Sequence, residues 1–182
     1  MLKETLESLV RQRTQELLEA NKKLEALALT DPLTEISNRR AIFNKFQEEL
    51  ERSARYQRTF SIIFVDIDNF KKYNDTLGHL EGDKILKQVA KILTTQVRKI
   101  DSVGRYGGEE FLIILPETNI QDAKEISERL KNSIQKETVV TISIGLVSNT
   151  AVGSTVEDLL SQADKALYLA KKNGRNRIEV YV

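Results

Sequence analysis

The chain has no cysteine and no tryptophan among its 182 residues, and only one histidine and one methionine. Without cysteine there is no disulfide framework, no thiolate-held zinc and no thiol nucleophile, and one histidine excludes a multi-histidine metal cluster. Any metal must be held by carboxylates. Only 8 Gly and 2 Pro punctuate the sequence, against 30% charged and 40% hydrophobic residues. That balance excludes collagenous, low-complexity and disordered chains, and the length suits one domain with an appendage. Neither charge sign is in excess, with 28 basic and 27 acidic side chains, so no broad basic surface for nucleic acid or an anionic membrane is expected, although local phosphate sites are not excluded. No apolar run approaches the roughly 20 residues that span a bilayer, and the amino terminus lacks a signal-peptide core. The expectation is a cytoplasmic protein with no membrane segment and no nucleic-acid partner.

Residues 1–29 contain no Gly, Pro or aromatic residue and are rich in Leu, Glu, Lys, Gln and Arg, the composition of a long helix. Val10, Leu17 and Leu24 recur at seven-residue spacing, and Leu6, Ala20 and Leu27 share the complementary register, with Arg13 the polar exception. The spacing predicts a parallel coiled-coil dimer; the alternative is an amphipathic helix packed on its own domain. Pro32 ends the helix and divides the chain into a dimerisation helix, 1–29, and a domain, 30–182.

Beyond that boundary, helical periods cover Asn38 to Arg55, Glu81 to Arg98, Asn119 to Lys136 and Thr155 to Lys172. Phe60 to Ile67 is apolar on both faces, as in a buried central strand. Ser102 to Tyr106 and Glu109 to Leu115 read as a hairpin joined by Gly107-Gly108, with further strands at Val139 to Val147 and Arg177 to Val182. From Phe60 the order is the split ferredoxin-like arrangement extended by a helix and a strand, which predicts an α+β fold with an antiparallel-rich sheet flanked by helices.

The central strand ends in Asp66-Ile67-Asp68, and the hairpin glycines are followed by Glu109-Glu110. If the hairpin pairs beside that strand, these carboxylates converge at one sheet edge. They are then either solvated strand ends or a hard-oxygen site for magnesium or manganese. The stretch from Asn69 to Asp75 would bring backbone N–H groups and Lys71 towards a phosphate. Asn74 and Asp83 suit a base edge, and a carboxylate matches guanine's paired donors, although Asp83 equally favours a helix start. Lys171 and Arg175, four residues apart, either clamp a triphosphate or complement a helix terminus. His79, next to Gly78, is assigned no chemistry.

Five stretches, taken together, resemble the GGDEF family of diguanylate cyclases: Asp31 to Arg40, Asp66 to Asp75, Gly78 to Asp83, Arg105 to Phe111, and Ala163 to Lys171 continuing through Gly174-Arg175-Asn176. The signature is present in its GGEEF form as Gly107-Gly108-Glu109-Glu110-Phe111. One departure is Glu35-Ile36, where the family usually has Gly-Leu. The resemblance implies condensation of two GTP into cyclic di-GMP and two pyrophosphates. It assigns two divalent ions per site, Mg2+ or Mn2+, to Asp66, Glu109 and the Ile67 carbonyl, and places Glu110 beside the reacting hydroxyl. Asn74 and Asp83 would read guanine. Asn69, Phe70, Lys71 and the Gly107-Gly108 turn would line the substrate, with Lys171 and Arg175 on the β and γ phosphates. Each subunit would hold one GTP, so a homodimer through the amino-terminal helix is expected, under a sensor domain that this chain lacks. Arg98-Lys-Ile-Asp101 matches the family's RxxD motif, which implies product inhibition through Arg98 and Asp101. The rival readings are a silent domain that binds GTP or cyclic di-GMP as a receptor, and a coiled-coil interaction protein with a vestigial domain.

Overall fold

An eight-residue strand, β1 (Phe60–Ile67), is buried along its whole length and organises everything after the first helix. The structure, a computed structural model, describes residues 2–27, 29–149 and 153–181, and within the first helix it describes the side chains of residues 10–21 and 24. The elements before β1 are α1 (Leu2–Leu27) and α2 (Arg39–Tyr56). After it come α3 (Phe70–Leu77), α4 (His79–Thr95), β2 (Ser102–Gly107), β3 (Glu110–Pro116), α5 (Ile120–Glu137), β4 (Ile142–Ser148), α6 (Val156–Lys172) and β5 (Ile178–Val180).

The sheet has the order β2-β3-β1-β4-β5. β1 pairs antiparallel with β3 and β4, β2 pairs antiparallel with β3, and β5 adds parallel to β4. Successive side chains of a strand point to opposite faces, so β1 feeds two cores. Ile63, Val65 and Ile67 meet Val89 and Leu93 of α4 and Leu130 and Ile134 of α5. Ile62 and Phe64 meet Ile42 and Phe46 of α2 and Leu159 and Leu167 of α6. By the same alternation Asp66 faces the side of α6. The α+β architecture matches the expectation.

Element boundaries depart from the sequence reading in ways that have local causes. The segment after β1 is a separate short helix, α3, because Asn69 turns the chain through a left-handed residue (φ 56°) with no side-chain cap to announce the start. α4 begins at His79 directly after Gly78 (φ 88°) and stops at Thr95, short of Arg98. Glu109 lies in the hairpin turn rather than in β3, behind Gly108 at φ 52°, and the ladder shifts between Arg105 and Gly107. β4 starts at Ile142 rather than Val139, since Thr138 bonds locally to Val140.

In α1, Val10, Leu17 and Leu24 are exposed, and neighbouring polar side chains pair along the helix, such as Arg13 with Glu16 at 2.7 Å. Leu6 and Leu27 lie outside the described side chains. Among the described residues no helix is long and apolar enough to cross a membrane.

Candidate active site

β1 runs out at a polar edge, where Asp66 stands opposite Glu110 of β3 and Ser143 of β4. The Ile67 N–H donates to the Glu109 carbonyl at 3.3 Å, bringing the hairpin turn over the end of the strand. Asp66 is only 7% exposed, and its Oδ2 accepts the Lys171 ammonium at 2.7 Å. Burial pushes the Asp66 carboxyl up. Lys171 opposes that shift, and the nearby Glu109 and Asp68 charges add to it. Burial also raises Glu110, helped by Asp66, Glu109 and Asp164 and opposed by Lys171. Among the described residues, the charges that bear on these two carboxyls are mostly negative, with the Lys171 ammonium opposing them.

The hairpin carrying Glu109 and Glu110 is held by a residue that sequence reasoning passed over. Arg105 donates through Nε and Nη2 to the Gly108 carbonyl at 2.9 and 2.7 Å, and through Nη1 to Asp31 at 3.2 Å. Asp31 also accepts the Thr34 N–H and hydroxyl at 2.8 and 2.7 Å. Burial works to raise the Asp31 carboxyl, but Thr34 and Arg105 outweigh it and hold the group below the usual carboxylate range.

On the other side of β1, α3 and α4 are packed so closely that a Cβ on Gly82 would sit 1.8 Å from Asn74 Oδ1. That oxygen is buried and has no hydrogen-bond partner among the described residues. Asp83 follows Gly82 and is half-buried. An unpartnered buried amide oxygen is an acceptor that the donor edge of a polar ligand would satisfy. Asn69 and Lys71 are exposed at the start of α3, whereas Phe70 is buried beneath the helix.

Lys171 lies in the last turn of α6, and Arg175 follows at φ 62° with its N–H on the Ala170 carbonyl at 3.0 Å. Elsewhere, Arg98 and Asp101 meet between α4 and β2. Asp101 Oδ2 accepts the Arg98 N–H at 2.7 Å, and the Arg98 guanidinium reaches Thr118 at 2.7 Å. Asp101 Oδ1 is buried and unpartnered among the described residues.

Among the described residues no three acidic or histidine side chains converge at metal-binding distance. The donor chemistry still fits a hard cation. Asp66, the Ile67 carbonyl and Glu109 are oxygens gathered at one edge, and Asp66 already holds a cation, the Lys171 ammonium.

The family described as "Diguanylate cyclase, GGDEF domain" matches residues 28–177. The chain belongs to the GGDEF-domain family. Diguanylate cyclase A of Treponema denticola is 37% identical to this GGDEF chain over 169 residues, covering 87% of the chain and 46% of the relative. The response regulator PleD of Caulobacter vibrioides is 41% identical over 162 residues, covering 84% and 36%. The GGDEF chain thus spans less than half the length of these curated relatives. Among solved structures, the coiled coil and GGDEF domain of DgcB from Caulobacter crescentus, in complex with c-di-GMP, superposes with a TM-score of 0.81 at 27% identity. That match covers 96% of this chain and 98% of the DgcB chain.

Within this GGDEF domain, the departure from the family pattern now has a physical meaning. Glu35 occupies φ 62°, a left-handed conformation that glycine adopts without cost and glutamate does not. The turn survives because the Glu35 N–H bonds the Asp31 carbonyl and the Asp31 N–H bonds the Ile36 carbonyl, both at 2.8 Å.

Proposed function

We propose that this GGDEF domain is a diguanylate cyclase, joining two GTP molecules into cyclic di-GMP with release of two pyrophosphates. The observation that carries the reading is the gathering of acids at the end of β1, where Asp66 holds the Lys171 ammonium at 2.7 Å and Glu109 and Glu110 lie close enough for the charges to act on one another. Two divalent ions, Mg2+ or Mn2+, would be held by Asp66, Glu109 and the Ile67 carbonyl. When bound, they supply positive charge that eases ionisation of the ribose 3′-hydroxyl and offsets charge developing on the α-phosphate and pyrophosphate. Glu110, its carboxyl raised by burial, stands ready to accept the hydroxyl proton. Asn74, which packs against Gly82, and Asp83 take the guanine edge. The α3 start at Asn69, Phe70 and Lys71, with the Gly107-Gly108 turn, lines the phosphates. Lys171 and Arg175 hold the β and γ phosphates.

One domain provides one such half-site, so two must face each other before a 3′-hydroxyl can attack in line. The exposed Val10, Leu17 and Leu24 of α1 suit a homodimer seam, with an upstream sensor setting its geometry. Arg98 and Asp101 are the product-inhibition site. The half-exposed Arg98 guanidinium suits phosphate, and Asp101, whose side chain is fully buried, meets guanine's donors once the segment between α4 and β2 opens. Arg98→Ala is expected to relieve inhibition by added cyclic di-GMP and leave initial turnover largely intact, which progress curves with and without product check.

Incubation of the chain with GTP and magnesium, followed by chromatography for cyclic di-GMP, tests the function. Product should form with a specific activity that rises with protein concentration. Intact GTP at high protein concentration, with cyclic di-GMP still bound, would reassign the domain as a receptor.

A further inference from the structure

Two residues beyond Asp66, a second carboxylate is engaged quite differently. Asp68 is 6% exposed. Its Oδ1 accepts the Ser143 hydroxyl at 2.6 Å, and its Oδ2 accepts the Thr141 hydroxyl at 2.6 Å and the Asn176 N–H at 3.0 Å. The Asp68 N–H adds a bond to the Thr141 carbonyl at 2.9 Å. With three donors already on its oxygens, this group has little to offer a metal. What it holds is the loop after α6.

That loop is unusual. Gly174, Arg175 and Asn176 follow one another at φ 110°, 62° and 47°, and non-glycine residues persist in this region only where their surroundings over-determine them. The loop is fixed at two points beside Arg175. On one side the Arg175 N–H bonds the Ala170 carbonyl at 3.0 Å, and on the other the next N–H, that of Asn176, bonds Asp68. The Asn176 side chain adds a 3.2 Å bond from Nδ2 to Gln135 of α5.

The geometry assigns Asp68 the role of positioning residue for Arg175. It anchors the loop by the Asn176 N–H so that the guanidinium is preset for the terminal phosphates of a nucleoside triphosphate. This rests on the reading of Arg175 as a phosphate ligand. The second aspartate of the Asp66-Ile67-Asp68 stretch then serves substrate placement, while the first serves charge.

The test is a double-variant cycle read by calorimetry, using 3′-deoxy-GTP, which lacks the attacking hydroxyl, and GMP, which lacks the terminal phosphates. Asp68→Ala is expected to weaken 3′-deoxy-GTP binding by about tenfold, in keeping with the loss of a charge-assisted hydrogen bond, and GMP binding by less than about twofold. Arg175→Ala should behave the same way, and Asp68→Ala combined with Arg175→Ala should bind no more weakly than Arg175→Ala alone. Asp68→Asn can turn its nitrogen to Ser143 and keep its oxygen on the Asn176 N–H, so it should stay within about threefold of wild type. Additive losses, an equal loss for GMP, or an Asp68→Asn variant as weak as Asp68→Ala would each overturn the assignment. If Asp68→Ala does not fold, Asp68→Ser, which stays polar but is too short to hold the Asn176 N–H, takes its place in the cycle, with the same loss of about tenfold for 3′-deoxy-GTP expected and wild-type affinity overturning the anchor. An Arg175→Ala variant with unchanged 3′-deoxy-GTP affinity would instead overturn the phosphate reading beneath it.

Discussion

β3 has glutamates at both ends, and they live in opposite surroundings. At its start, Glu110 sits near Glu109 and near Asp66, which holds the Lys171 ammonium, and burial raises both Glu110 and Asp66. Just past its end, the exposed Glu117 is held by Arg58 and by Arg52, the latter at 2.9 Å, and these guanidiniums keep its carboxyl below the usual range. At one end several acids crowd around the Lys171 ammonium, and at the other two guanidiniums hold one acid. A charge deficit kept inside a folded domain marks where charge from outside is expected, and a balanced pair marks a joint.

The sharpest way to break this contrast is to neutralise one acid at each end. Glu109→Gln should lower cyclic di-GMP formation by orders of magnitude, as expected when an essential ion's charge stabilisation is lost. Glu117→Gln should change turnover by less than about threefold, since exposed ion pairs contribute little. Comparable losses in the two variants would remove the distinction.

A smaller effect sharpens it. Lys171→Met leaves Asp66 without its ammonium, so at neutral pH the variant should melt below wild type. Millimolar Mg2+ should then raise its Tm by more than it raises that of wild type, because the ion no longer competes with a tethered cation. Equal metal-induced shifts in differential scanning fluorimetry would show that Lys171 and the metal do not share Asp66.

Strain without charge provides the control. Glu35→Gly removes a left-handed glutamate at a net gain of about 1 kcal/mol, the strain relieved exceeding the extra freedom of the unfolded chain. The Tm should rise by about 2–4 °C, whatever the metal concentration.

The smallest effects are the pH dependences, which should have opposite signs at the two ends. A carboxyl raised in the folded state contributes stability below its unfolded pKa and loses it as the pH rises through the folded value. Glu110→Gln should therefore raise Tm at pH 7 relative to wild type, with the gain gone at acid pH where both forms are neutral. A lowered carboxyl contributes stability above its unfolded pKa and loses it as the pH falls through the folded value. Glu117→Gln should lower Tm at pH 7, and that deficit should close in acid.

Much of this was readable in the residues. The strand Phe60–Ile67 falls where its apolar run, interrupted only by Ser61 and Asp66, places it, because only a strand between two layers of helices buries apolar side chains on both faces. The pairing of Asp66 with Glu110 follows once the hairpin lies beside that strand. What the sequence could not supply are contacts made only by the closed chain. Lys171 reaches Asp66 from α6, Arg105 reaches Asp31 from β2, and Asp68 draws in Thr141, Ser143 and Asn176. No local pattern encodes such pairs. α3 was hidden for a different reason, since an eight-residue helix with a left-handed, uncapped start carries none of the usual signals. Gly82, a glycine inside a helix, is the local signal of the close approach between α3 and α4.

That glycine sets a trap for anyone improving the domain. A scale of helix preference ranks alanine above glycine by about 1 kcal/mol, so automated stabilisation of α4 would choose Gly82→Ala early. The added methyl would land 1.8 Å from Asn74 Oδ1, and the amide, rather than the helix, would have to give way. A melting curve could report such a protein as improved after the Asn74 amide had been displaced. At this position thermostability and ligand recognition are opposed, and a screen that reads only the first would select against the second.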